Sequence, residues 1–167
     1  RNLPNALIVA SQLLFNLQSV ARAPMVAEQH YNTDNAMFAR MLGPTMNYSC
    51  GYWKDAETLD EAQRNKMDLI CRKLDLKEGM SVLDIGCGWG GLSLYMAKEY
   101  GVKVTGVTIS TEQLAYAREH DAGHLVNWLL QDYRSMEGQF DRIVSVGMFE
   151  HVGRKLSLIH ISEPRDR

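Results

Sequence analysis

No run of about 18 apolar residues occurs in the sequence, so nothing in it reads as a membrane-spanning helix. Cysteine is scarce: Cys50, Cys71 and Cys87 are odd in number and never fall as Cys-x-x-Cys. That pattern argues against a disulfide framework or a structural zinc site and fits a reducing compartment. Neither sign of charge is in excess, because 18 Lys and Arg against 20 Asp and Glu leave a net charge of −2. A nucleic-acid partner normally requires a strongly basic domain, so none is expected. Internal repeats and low-complexity stretches are also missing. What is present is ordinary globular composition, 46% apolar and 23% charged over 167 residues, which is the length of one domain.

Along the chain the rhythm changes once. Residues 3–20 carry Leu7, Leu14 and Leu17 at roughly helical spacing, closed by Pro24. Thr33 and Asp34 are placed to cap a short helix through Met41, stopped by Gly43 and Pro44. A mixed polar and aromatic loop runs from Asn47 to Trp53. Thr58 with Glu61 spells a capping box, opening a helix to about Leu74 whose inner face carries Met67, Ile70, Cys71 and Leu74. From Leu76 short strand and helix patterns alternate. Strands are predicted at residues 81–85, 102–107, 125–130 and 142–146. Helices are predicted at 92–100, ended by Gly101, and from Ser110 to about His120, where Ser110 and Gln113 spell a second capping box. Strands alternating with helices of about ten residues indicate an α/β fold of βαβ units. The parallel sheet is expected in the order third, second, first, fourth strand, with helices on both faces.

The informative stretch is Val82-Leu83-Asp84-Ile85-Gly86-Cys87-Gly88-Trp89-Gly90-Gly91. A strand running into Gly-x-Gly lets the backbone turn sharply and approach a ligand where a Cβ would collide. The helix that follows points free N–H groups at the same spot, and ligands of open parallel sheets sit beyond the carboxyl ends of the strands. Gly86, Gly88 and Gly91 also satisfy Gly-x-Gly-x-x-Gly, the dinucleotide fingerprint. That reading wants an acidic residue at the end of the second strand, where the sequence instead reads Val107-Thr108-Ile109-Ser110. Asp84, two residues before the first glycine, is suited to meet a cationic ligand. S-adenosylmethionine carries a sulfonium and an ammonium, and the pattern favours it over NAD.

Several longer phrases carry a family resemblance: His30-Tyr31, YSCGYWKDAETL from Tyr48, VLDIGCGWGG from Val82, GVTIS from Gly106, LLQDYR from Leu129 and FDRIVSVGMFEHVG from Phe140. Together and in order they resemble the cyclopropane-fatty-acyl-phospholipid synthases, which are S-adenosylmethionine-dependent methyltransferases. The resemblance implies a Rossmann-like class I methyltransferase fold, with residues 1–24 ending a preceding helical region and 25–154 forming the N-terminal part of the methyltransferase domain. It implies that Tyr48 and Ser49 contact the cofactor. Val82, Leu83, Asp84, Ile85, Gly86, Cys87, Gly88, Trp89 and Gly90 form the main cradle, and Thr108, Ile109, Ser110, Thr111, Glu112 and Gln113 flank it. Gln113 takes the ribose role, although it also reads as a capping partner of Ser110. Tyr133 and Arg134 lie beside the adenine, although alone they read as a surface turn; Trp89 reads equally as core packing.

Cys50 and Glu150 are implied as catalytic residues around a bound bicarbonate. Without the resemblance a lone Cys50 reads as a small buried hydrophobe. The implied chemistry is attack by an alkene on the sulfonium methyl, followed by ring closure as bicarbonate removes a proton, and it requires no metal. The implied substrate is an unsaturated phospholipid acyl chain at the membrane surface. The expected setting is cytoplasmic, peripheral to the inner membrane, and a homodimer is compatible with the full-length protein. A branch-forming lipid or mycolic-type methyltransferase and an inactive cofactor-binding fragment stand as alternatives. Residues 155–167 read KLSLIHISEPRDR, which resembles translated sequencing-adapter DNA, so they are expected to be non-native and His160 receives no role. With both ends cut, the chain expressed as written is expected to be inactive and poorly soluble.

Overall fold

Local periodicity and caps are enough to lay out most of the elements. A computed structural model of the chain describes residues 35–148. Two helices, α1 (Asn35–Leu42) and α2 (Leu59–Lys73), precede β1 (Ser81–Ile85), α3 (Gly91–Tyr100) and β2 (Lys103–Thr108). Then come α4 (Thr111–His120), β3 (Val126–Leu130) and β4 (Arg142–Val144). The helix predicted at 3–20, the Thr33 and Asp34 cap, Glu150, His151 and the 155–167 tail lie outside the described residues. Among the described residues no helix is long and apolar enough to cross a membrane.

All four strands are parallel and run in the order β3-β2-β1-β4, as the sequence predicts. The central strand β1 pairs Asp84 with Gly106 on one side and with Val144 on the other, which aligns the carboxyl ends along one edge. Val82, Leu83 and Asp84 are all buried, as expected of a strand covered on both faces. Met67 and Cys71 of α2 and Met96 of α3 join Val82, Val104, Val126 and Trp128 in the main core. Burying a side chain such as Met96 contributes about 1.5–3 kcal/mol. A smaller cluster of Phe38, Leu42, Met46 and Trp89 docks α1 against the glycine-rich turn.

The caps explain where the helices start and stop. The Thr58 hydroxyl accepts from the Glu61 N–H at 3.3 Å, and the Glu61 carboxylate accepts from the Thr58 N–H at 2.9 Å, so the first capping box is complete. Gly101, at φ 63, ends α3. The second box is only half formed. Ser110 Oγ accepts from the Gln113 N–H at 3.3 Å, but the Gln113 carboxamide oxygen accepts from Thr108 Oγ1 at 3.0 Å instead of reaching back. All three residues are buried, and the Ser110 N–H that Gln113 would have reached donates instead to Thr108 Oγ1 at 3.2 Å, so every one of these buried groups has a partner. Strand β4 also stops at Val144, two residues earlier than predicted. Its neighbour β1 swings toward β2 there, because the N–H groups of Gly86 and Cys87 both donate to the Val107 carbonyl. The chain beyond Val144 is left without a ladder partner on that side.

Candidate active site

The turn after β1 is open where a ligand would need it to be. Gly88 has φ +58, a region unfavourable for side chains, and a Cβ built on it meets no atom within 4 Å. At Gly86, by contrast, a Cβ would lie 2.7 Å from the Cβ of Met148, so that glycine serves packing against the segment after β4. Helix α3 starts immediately, and its first intrahelical bond is Leu94 N–H to Gly90 O at 2.9 Å. The N–H groups of residues 91–93 therefore lack an intrahelical acceptor and give this edge a positive character.

A second segment is fastened over the start of α3. A Cβ on Gly91 would overlap the carbonyl oxygen of Thr45, so only glycine lets residues 43–50 lie so close. That segment is held from below by α2. Gln63 Nε2 donates to the carbonyl oxygens of Asn47 at 3.2 Å and Ser49 at 3.0 Å, and Asn47 Nδ2 approaches Met67 Sδ at 3.3 Å. Lys66 Nζ donates to Ser49 Oγ at 2.7 Å. Tyr48 stacks edge-on against Phe38 at 5.6 Å yet stays 59% exposed, and Cys50 is also exposed rather than buried. The Tyr48 carbonyl and Ser49 Cβ both lie about 4 Å from where a Cβ on Gly147 would sit. Tyr48 and Ser49, the Gly86–Gly90 turn, and Gly147 with Met148 thus share one edge of the sheet.

The other expected residues fall as follows. Thr108, Ser110 and Gln113 are buried in one hydrogen-bonded group, whereas Ile109, Thr111 and Glu112 are exposed. The Gln113 oxygen accepts from Thr108, which leaves its second lone pair and the amide NH2 for the expected ribose contact. Tyr133 and Arg134 begin a short 3₁₀ turn capped by Asp132, and the Arg134 guanidinium grips that carboxylate, with Nε to Oδ1 at 2.9 Å. This pairing holds the Asp132 carboxyl below its usual range. Cys87 is buried, which pushes its thiol up.

For two residues the surroundings narrow the alternatives. The Trp89 side chain is 2% exposed, packs on Phe38 at 4.7 Å and donates through Nε1 to Asn35 Oδ1 at 2.9 Å. Its contribution to the turn is backbone; its ring is core. Asp84 is not an open carboxylate waiting for a cation. It is 2% exposed, one oxygen accepts from Ser93 Oγ at 2.6 Å, and burial raises its pKa to about 6.

The raised value carries a stability prediction. Between about pH 4 and 6 the native state holds the Asp84 proton and the unfolded state has lost it. This group's contribution therefore falls as pH rises through that window, reaching about 3 kcal/mol unfavourable above it. Asp84→Asn keeps an oxygen for Ser93 and removes the charge. We expect it to be more stable than wild type at neutral pH, with the gap closing near pH 4 in urea denaturation. An equally stable variant at neutral pH would show that the buried carboxylate is not strained.

Lys66 was missed by the sequence reading. Its signal was a lysine at an inner position of α2, between Gln63 and Met67, where an apolar residue is expected. It is 9% exposed; burial lowers its pKa to about 8, and Cys50 nearby raises it.

The geometry is a ligand cradle at the carboxyl edge of a parallel sheet, and comparison with known proteins decides its family. The profile of the mycolic acid cyclopropane synthetase family matches residues 18–160. The chain belongs to that family. It is 60% identical over 151 residues to the cyclopropane-fatty-acyl-phospholipid synthase of Escherichia coli (strain K12), covering 90% of this chain and 40% of that protein. It is 47% identical over 131 residues to a probable fatty acid methyltransferase of Pseudomonas putida, covering 74% of this chain and 33% of that one. Among solved structures, a mycolic acid cyclopropane synthase complexed with SAH and CTAB superposes with a TM-score of 0.75 at 37% identity, over 86% of this chain and 54% of that one. The sheet is accordingly that of a Rossmann-like class I methyltransferase. The chain spans well under half the length of the curated relatives it matches here.

Proposed function

We propose that the full-length protein containing this chain is a cyclopropane-fatty-acyl-phospholipid synthase. It uses S-adenosylmethionine to convert the double bond of an unsaturated phospholipid acyl chain into a cyclopropane ring. The observation that carries this reading is the 60% identity to the Escherichia coli synthase, which spans the cradle and the loop that covers it. The cradle also suits the cofactor, since Gly88 leaves room for a ligand and no acidic residue ends β2.

When bound, S-adenosylmethionine supplies an electrophilic methyl group on a sulfonium leaving group. The turn and the first N–H groups of α3 bind it; Thr108 to Gln113 orient the nucleoside, with Tyr133 and Arg134 beside the adenine. Tyr48 and Ser49 close over the other side and exclude water that would quench a carbocation. Cys50, whose thiol is exposed, and Glu150 are assigned to bicarbonate, whose chemistry there is to accept the proton lost on ring closure. A phospholipid substrate is compatible with an enzyme acting from the cytoplasm at the inner-membrane surface, and a homodimer fits the same reading.

A second reading, methyl branching instead of ring closure, is favoured by the 47% identity to the Pseudomonas putida protein. One experiment separates them. The full-length protein, given S-adenosylmethionine and vesicles of unsaturated phospholipid, is expected to add one CH2 per chain, with cyclopropane ring protons in the NMR spectrum. A methyl or methylene branch would select the second reading, and unmodified lipid with no cofactor bound would remove both. The third possibility, that residues 1–167 alone bind cofactor without turnover, is tested in the same assay.

A further inference from the structure

We propose that Lys66 is a positioning residue for the carboxylate of the cofactor's amino-acid tail, acting through the Ser49 hydroxyl. The inference rests on the reading that S-adenosylmethionine binds at the glycine turn. Lys66 is buried on the inner face of α2, yet among the described residues no carboxylate lies within ion-pair reach of it. An uncompensated buried ammonium is costly, and an apolar side chain would cost less there if packing were all that mattered. Nor is the ammonium needed to hold the loop backbone. The Ser49 carbonyl already accepts from Gln63 at 3.0 Å, while Lys66 approaches it at a weaker 3.4 Å.

The stronger contact is with the hydroxyl, at 2.7 Å. An ammonium can only donate, so Ser49 Oγ accepts from it and must direct its own proton elsewhere. Ser49 stands on the flank of the cradle. Its Cβ is 4.0 Å from the position of a Cβ on Gly147, and the adjacent Met148 lies against Gly86. A hydroxyl donor backed by a positive charge calls for an anionic acceptor. S-adenosylmethionine has one such group, its carboxylate, at the end opposite the nucleoside that Thr108 to Gln113 receive. Lys66 therefore sets the orientation of the zwitterion, drawing the carboxylate toward Ser49.

Calorimetric titration of the full-length protein in bicarbonate-free buffer tests this with two probes. These are S-adenosylhomocysteine and S-adenosyl-3-thiopropylamine, which differ only in the carboxylate. Wild type is expected to prefer the first by at least about tenfold, as a charge-assisted hydrogen bond provides. Lys66→Met should erase most of that preference by weakening S-adenosylhomocysteine alone. Ser49→Ala, which removes one half-buried hydroxyl from the loop and leaves the side chains of α2 unchanged, should do the same, and the double variant should be no weaker than either single one. Equal weakening of both probes would make Lys66 merely structural and overturn the proposal. So would a Lys66 effect that appears only on adding bicarbonate, which would assign the ammonium to that ion. Wild-type preference persisting in both variants removes this inference alone, whereas a wild type that binds neither probe removes the cofactor reading beneath it.

Discussion

Gly88→Val in the full-length protein is expected to weaken S-adenosylmethionine binding by at least about 100-fold, close to 3 kcal/mol, while the protein stays folded. The two halves of that expectation have separate causes. A β-branched residue at φ +58 is strained by about 1–3 kcal/mol, which an ordinary domain stability of about 5–15 kcal/mol tolerates. No protein atom lies within 4 Å of the new Cβ, so core packing has nothing to lose. The space it fills is the space assigned to the ligand. Gly79 supplies the control: it has φ +84, also with nothing within 4 Å of a Cβ, but precedes β1 at the opposite end of the strand. Gly79→Val should therefore carry a similar strain and leave cofactor affinity unchanged. Calorimetry and thermal denaturation of both variants check the contrast. Wild-type affinity in folded Gly88→Val would move the ligand away from this turn.

The contrast between these glycines also shows what could be read from sequence. Whatever depends on residues three or four apart was legible, because the physics is local. Thr58 with Glu61 fixed the start of α2, Gly101 fixed the end of α3, and alternation of strand and helix implied the parallel sheet in its observed order. Features settled by distant partners were not legible. Gln113 looked like the second half of a capping box until Thr108, on the preceding strand, took its oxygen. Nothing near Asp84 in the sequence signalled that Ser93 and the sheet would enclose its carboxylate. Cys50 read as a core residue on its own, yet it is exposed in the loop next to Ser49, whose hydroxyl Lys66 contacts. No local pattern marks Gly91 as the residue against which that loop rests.

Gly91→Ala is the sharper test of how the site is assembled. Unlike Gly88, Gly91 is helical and has no positive φ, so on propensity alone alanine should stabilise α3 by about 1 kcal/mol. Its Cβ, however, would overlap the Thr45 carbonyl, and a backbone atom cannot move away by changing rotamer. Relief requires residues 43–50 to lift from α3. Lifting breaks the Gln63 bonds to Asn47 and Ser49 and the Lys66 bond to Ser49, and it uncovers Met46 from the cluster with Phe38, Leu42 and Trp89. Those losses together amount to several kcal/mol, on the order of 2–5, which outweighs the gain in propensity. The sheet and main core do not depend on that contact. Hydrogen exchange should therefore show protection lost across residues 43–51 and kept in β1 and β2. In the full-length protein, the proposed turnover should fall by at least about 100-fold because Tyr48, Ser49 and Cys50 leave the edge they share with the turn. A Gly91→Ala protein with wild-type turnover and a protected loop would mean that this segment does not complete the site.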